Sequence, residues 1–297
     1  MKITRFAAVV AMAGLVSAAG AETLWFTGTY SNQVWQANAD GSGVPSVLYD
    51  PASDSGSGPT GIDIDPTTGE LYWGTGNNTD FWSGNRDGSG AGFFADPSID
   101  FDEAHGTAVD PIGQRVFLIN DTIGLWVVNT DGSGLTNLGF APGGTNGLEW
   151  DAANNRVLVG QQWNGEVWAV APDGSSSSLL VSGFFGVRDV ATNGSHIFWV
   201  DLANVWMANA DGTNPQVIAD AIDGGNIRTI DAMGGTLYLG EFSGFGPDTI
   251  WTIDLATGAE TVLYTGDFGS IRGVTEIPAP ATLALLGCGG LAIRRRR

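Results

Sequence analysis

Few residues of this 297-residue chain are equipped for chemistry. There is one cysteine, Cys288, and there are two histidines, His105 and His196, against 32 acidic and 12 basic residues. Between two basic ends, residues 22–277 hold six arginines and no lysine. Three of the six, Arg188, Arg228 and Arg272, fall at matching points of a repeated pattern. Guanidiniums that converge on one place grip a carboxylate, a phosphate or an acidic sugar through paired N–H···O bonds. The same residues admit an internal reading, in which each arginine pairs with a carboxylate of its own or the next repeat, such as Asp189, Asp231, Asp201 or Glu241, and ties the molecule together. His105 stands at the corresponding point of an earlier repeat, where an imidazole serves as general base, metal ligand or plain hydrogen-bonding group. The formal charge of −20 leaves no basic stripe to neutralise phosphates, so nucleic acid is not an expected partner.

These residues need elements to position them, and the tryptophans mark those elements. Val34-Trp35, Phe81-Trp82, Leu125-Trp126, Val167-Trp168, Val205-Trp206 and Ile250-Trp251 recur about every 43 residues. Five are followed by an Asp-Gly pair, at Asp40-Gly41, Asp87-Gly88, Asp131-Gly132, Asp173-Gly174 and Asp211-Gly212, and the sixth by Thr257-Gly258. Asp-Gly between apolar runs marks a hairpin, because glycine takes positive φ and the aspartate bonds nearby amides. Ahead of each tryptophan lies a short apolar strand, such as Leu24 to Phe26, Leu71 to Trp73 or Ile197 to Trp199, and earlier still an alternating segment such as Gly61-Ile62-Asp63-Ile64-Asp65. Four strands per repeat is the arithmetic of a β-propeller blade. The 45 glycines and 11 tryptophans agree with an all-β chain rich in turns. The first repeat begins on its second strand, whereas Arg272-Gly273-Val274-Thr275-Glu276 is an inner strand with no repeat of its own. Each supplies what the other lacks. The expected architecture is an all-β six-bladed propeller of four-stranded antiparallel blades, with the first and last strands sharing one blade.

The two ends read as addresses. Residues 1–21 carry Lys2 and Arg5, an apolar run from Phe6 to Val16 and the small residues Ala19-Gly20-Ala21, the pattern of a secretory signal peptide. Residues 278–297 carry Pro278-Ala279-Pro280, an apolar run from Ala281 to Ile293, and then Arg294, Arg295, Arg296 and Arg297. As a helix that run rises only about 20 Å, short of the roughly 30 Å of bilayer hydrocarbon, so a transient inner-membrane anchor is expected in place of a permanent span. The arginines hold it at the cytoplasmic side. The tail resembles the PEP-CTERM sorting signal of Gram-negative bacteria, with Ala279 where the family has Glu. That resemblance implies an exosortase-type processing enzyme as a partner, and delivery to the cell surface or the extracellular space.

Residues 22–277 resemble the YWTD and NHL-like six-bladed propellers, through Gly61-Ile62-Asp63-Ile64-Asp65-Pro66 leading to Leu71-Tyr72-Trp73, and through Ile197-Phe198-Trp199-Val200-Asp201. Asp201 keeps the acidic end of the YWTD motif and Glu241 substitutes for it, while Thr75, Asn120, Gln161 and Gly28 stand at the other equivalent points. In such a fold the turns after first and third strands lie on one face. Inner-strand starts and second-strand ends lie on the other, where these folds usually bind. There an inner ring reads Thr60, His105, Asn146, Arg188, Arg228 and Arg272, with Thr75, Asn120, Gln161, Asp201 and Glu241 expected around it. Trp163 falls in a loop of the same face, outside the repeat register. With Phe242, Phe245, Phe184 and Phe185 it either forms an aromatic rim for a ligand or folds back onto the blade tops. The six aligned tryptophans are read as packing between blades.

The reading that follows is an exported, exosortase-sorted surface or extracellular-matrix module without a cofactor, noncatalytic, that binds an extracellular polysaccharide or a surface protein. Its candidate residues are Arg188, Arg228, Arg272, His105, Asn146, Asp201, Glu241 and Trp163. The alternative is a metal-dependent hydrolase or lactonase at the channel mouth, with Glu149, Asn146, Asn120 and Asp201 as oxygen ligands suited to Ca2+. The Asn-x-Asp-Gly turns, such as Asn38-Ala39-Asp40-Gly41, share a pattern with calcium loops but lack the downstream bidentate glutamate, and they are read as stabilised turns.

Overall fold

Short apolar runs broken by Asp-Gly and Gly-rich turns give antiparallel strands, and the computed structural model arranges 24 of them in six sheets of four. The described residues are 22–50, 58–76, 80–96, 104–120, 124–141, 143–222, 225–244 and 246–277. The leader read at residues 1–21, Phe245, and the tail with Pro278, Pro280 and Arg294 to Arg297 lie outside them. Each sheet is one blade of a six-bladed propeller, and no helix occurs among the described residues. Closure is as the repeat register requires. The first blade pairs the inner strand Ile271–Ile277 with Thr23–Gly28, followed by Gln33–Asn38 and Ser46–Tyr49. In that pairing Val274 faces Phe26 and Glu276 faces Leu24.

Six apolar clusters hold the ring, one at each contact between neighbouring blades. Each aligned tryptophan belongs to a different cluster: Trp35 packs between the last blade and the first, Trp82 between the first and second, and Trp251, fully buried, between the fifth and sixth. The position recurs because every contact between blades must be filled. The Asp-Gly turns behave as local devices. Gly88 has φ of +84°, and the Asp87 carboxylate accepts the Ser89 amide and hydroxyl at 2.9 and 2.6 Å.

Polar straps reinforce the contacts on the turn face. Arg115 pairs with Asp110 at 2.9 Å and donates to the Pro172 carbonyl of the next blade, while Arg156 pairs with the buried Asp151 at 2.8 Å and donates to Ala210 O at 2.6 Å. The Tyr264 hydroxyl crosses from the sixth blade to the first, donating to Asn38 O and Ser42 O at 2.8 Å. Around the axis the inner strands approach so closely that four blades have glycine at one position. A Cβ on Gly61 would lie 2.6 Å from His105 O, one on Gly106 2.8 Å from Asn146 O, and one on Gly273 2.7 Å from Ile62 N. Where the fifth and sixth blades have Asp189 and Thr229 instead, the two side chains bond each other at 2.7 Å.

Candidate functional site

The inner ring forms by a repeated irregularity in the backbone. In five of the six blades the pairing of the first two strands skips the ring residue. The break lies between Pro59 and Ile62, Ala104 and Thr107, Thr145 and Leu148, Ile227 and Thr229, and, in the closing blade, opposite Thr27 and Gly28. Thr60, His105, Asn146, Arg228 and Arg272 occupy these β-bulges, which re-aim a side chain out of the ladder. Arg188 directly precedes the short inner strand Asp189–Thr192 and donates its amide to Val200 O. All six ring residues line one axial cavity of about 60 Å³, room for a few waters or one small anion.

Within this ring Arg188 and Arg228 do not adopt the internal pairing that the sequence allows. Arg188 donates to the Gln162 side-chain carbonyl at 2.9 Å, and Arg228 lies over the Phe242 ring, 5.6 Å from its centroid. Neither forms an ion pair among the described residues, and the Nε of each is buried without a hydrogen-bond partner. Burial, followed by the charges of Arg228 and Arg272, brings Arg188 down to about 10, and burial with Arg272 lowers Arg228. Positive charges are thus crowded together in a poorly solvated place. Burial, then Arg272 and Arg188, push His105 down to about 3, so its imidazole is neutral at neutral pH and a weak base.

The carboxylates offered by the sequence as partners are engaged elsewhere. Asp189 accepts from Thr229 Oγ1, Ile230 N and Val190 N. Asp231 accepts from Ala232 N and Glu276 N. Asp201 closes its own turn, accepting from Asn204 and Ala203 amides and from Trp206 Nε1 at 2.9 Å, and Glu241 accepts from Ile222 N and Gly225 N. Asp201 and Glu241 therefore support loops and are absent from the cavity lining, as are Thr75, Asn120 and Gln161, all buried at second-strand ends. The proposed oxygen ligands divide likewise: Asn146 and Glu149 line the cavity, Asn120 and Asp201 do not. Among the described residues no group of three His, Cys, Asp or Glu side chains is placed to hold a metal ion.

Deeper in the cavity lies a feature that the sequence reading did not single out. Asp63, Glu149 and Asp231 occupy one register position on alternate blades, facing Tyr72, Leu158 and Tyr238 of the second strands. Burial raises Asp63 to about 7 and Asp231 to about 6, and burial with Asp231 and Asp63 carries Glu149 well above the carboxylate range. Such values suit acid–base chemistry, but Asp63 already accepts from Ile64 N and from Val109 N of the next blade, both at 2.7 Å. Asp63 and Asp231 are ties between blades. The signal was present in the sequence as Asp63, Glu149 and Asp231 in equivalent alternating segments.

The aromatic rim splits. Phe184 folds back onto Trp199 and Trp206, whereas Trp163 and Phe185 stand 72% and 76% exposed. Phe242 lies beneath Arg228 and edge-on to Tyr30, a further exposed aromatic that sequence reasoning did not name.

No protein-family model matches the chain, and no curated protein does. Among solved structures it is similar to a chain of "Crystal structure of Nidogen/Laminin Complex", with a TM-score of 0.73 and 15% identity over 88% of this chain and 99% of that one. Identity that low establishes a shared six-bladed propeller and leaves function to the site.

Proposed function

We propose that this chain is an exported, exosortase-sorted surface β-propeller that acts as a noncatalytic binding module and receives an anionic group of its ligand at the arginine-lined mouth. The observation that carries the reading is the pair Arg188 and Arg228, held in the mouth without carboxylate partners among the described residues, in a chain with 32 acidic residues. Leaving charges unpaired costs stability, so an arrangement with abundant acids nearby and none in contact fits a site whose counter-charge arrives with a ligand. The solved structure with the similar fold is titled as a complex between two proteins, and propeller faces are suited to that use. Sorting rests on the Pro278-Ala279-Pro280, apolar and Arg294 to Arg297 segments alone.

The test is thermal unfolding of the protein against acetate, sulfate and acidic oligosaccharides, beside Arg188→Ala/Arg228→Ala. Anions should raise the wild-type midpoint and leave the double variant unmoved. An equal response in both would overturn the reading. Mass spectrometry of the exported protein's carboxyl end tests the sorting: recovery of intact Arg294 to Arg297 outside the cell would refute cleavage.

A further inference from the structure

Trp163 is the one tryptophan of the chain's 11 that is exposed. Its indole packs against the chain at Gly143 and Gly144, where a Cβ on Gly144 would collide with the ring and the backbone takes φ of +62°. The loop is fixed by Gln162 N donating to Gly144 O at 2.7 Å and by Phe184 N donating to Gly165 O at 3.2 Å. An aromatic side chain so supported presents its exposed face as a rigid platform.

Gln162 connects that platform to the mouth. Its Oε1 accepts from Arg188 Nη1 at 2.9 Å and from Asn146 Nδ2, which orients the amide. The Gln162 N–H donors and the Asn146 Oδ1 acceptor make no hydrogen bond among the described residues. A flat apolar face, amide donors and an amide acceptor, and a guanidinium beyond them therefore follow one another from the rim to the axis. A hexose presents an apolar ring face and hydroxyls that both donate and accept. A uronic acid adds a carboxylate. A carboxylate that reaches the ring arginines in the axial cavity leaves its sugar ring toward Trp163.

We propose that the mouth binds the uronic-acid end of an acidic polysaccharide, with the carboxylate on Arg188 and Arg228 and the sugar ring stacked on Trp163; this rests on the binding-module reading above. A phosphate or simple carboxylate would leave the indole unused, and an aspartate-rich peptide would satisfy the amides but bring no flat ring face to stack on it. The 32 acidic residues repel an extended polyanion, so recognition falls on a chain end, and a disaccharide should bind as tightly as a longer oligomer.

The test is isothermal titration of the purified full chain with digalacturonate, longer oligogalacturonates, galactobiose, acetate and an aspartate-rich peptide. Digalacturonate should bind at least tenfold more tightly than acetate, galactobiose or the peptide, with no gain from longer oligomers. Trp163→Ala should remove the advantage of digalacturonate over acetate and leave acetate binding intact, Trp163→Phe should restore part of it, and Arg188→Ala/Arg228→Ala should abolish both. Because Trp163 lies on the surface, its variants should unfold at the wild-type temperature. Equal affinities for digalacturonate and acetate, insensitive to Trp163→Ala, would overturn the sugar assignment and leave an anion-binding mouth. Tighter binding of the peptide would overturn it in favour of a protein partner. Failure of every anion to bind the wild type would overturn the binding-module reading as well.

Discussion

Raising the pH from about 4 to about 8 should loosen this protein, because its channel carboxylates hold protons that the unfolded chain releases. Burial lifts Asp63 and Asp189 to about 7 and Asp231 to about 6, against 3.8 for an ordinary aspartate. A group whose folded value is raised stabilises fully below its unfolded value and loses that contribution as pH climbs through the folded one, here a window from about 4 to 7. One unit corresponds to about 1.4 kcal/mol. Carrying one unit for each of the three, a conservative share of these shifts, gives about 4 kcal/mol, or a fall in Tm of about 8–16 °C for a domain of this size. The exposed turn aspartates Asp40, Asp87, Asp131, Asp173 and Asp211 have the opposite sign. Side-chain and backbone bonds from the following Ser or Thr hold them below 3.8, so their contribution is lost as pH falls through that lowered range. His105, held down to about 3, opposes the channel carboxylates as well: its contribution is present above 6.5 and lost as pH falls toward 3, so the net fall toward pH 8 is smaller than the carboxylates alone would give. Calorimetry across this range in high salt, which screens the surface acids, should retain most of the slope. Asp63→Asn/Asp231→Asn keeps an oxygen to accept the amides and removes two of the three titrations, so it should remove about two-thirds of the carboxylate part of the slope. A slope that salt abolishes, or that the double variant leaves unchanged, would refute an origin in the channel.

Three further perturbations probe the scaffold. Gly106→Ala places a methyl against Asn146 O and Leu148 N and should lower stability by about 1–3 kcal/mol in chemical denaturation; a neutral result would contradict the close approach of inner strands. Arg156→Ala leaves the buried Asp151 with Asn154 as its remaining side-chain partner and drops the bond to Ala210 O, so it should cost about 1–3 kcal/mol, more than Arg115→Ala, whose bond to Pro172 O is 3.4 Å. The reverse order in denaturant midpoints would sink that ranking. Ending the chain after Ser270 removes the inner strand of the first blade and should abolish the cooperative melt that a chain ending at Ile277 retains.

The fold was legible because its determinants are local and repeated. A tryptophan in each repeat fills one contact between blades, an Asp-Gly turn sets five of the six outer hairpins, and the unmatched strand at Arg272 to Glu276 could pair only with the incomplete first repeat. The ring was legible for the same reason: equivalence of Thr60, His105, Asn146, Arg188, Arg228 and Arg272 is a statement about register, and all six line the cavity. What register cannot express is the direction of a side chain at an irregular point. The bulges at the ring leave no composition signal beyond the neighbouring glycines Gly61, Gly106, Gly147 and Gly273, yet they turn these residues toward the axis.

Partner choice was opaque for a related reason. Asp189 and Asp231 lie beside arginines in the sequence, and an extended strand puts successive side chains on opposite faces, so proximity along the chain says little about contact. Backbone amides of the adjoining blade compete for the same oxygens. Asp189 takes Ile230 N and Asp231 takes Glu276 N, because the adjoining inner strand brings its backbone amides within hydrogen-bond reach. The close approach of the inner strands thus commits Asp63, Asp189 and Asp231 to backbone amides of the next blade and leaves Arg188 and Arg228 without a carboxylate among the described residues. The cationic mouth follows from how closely the blades pack.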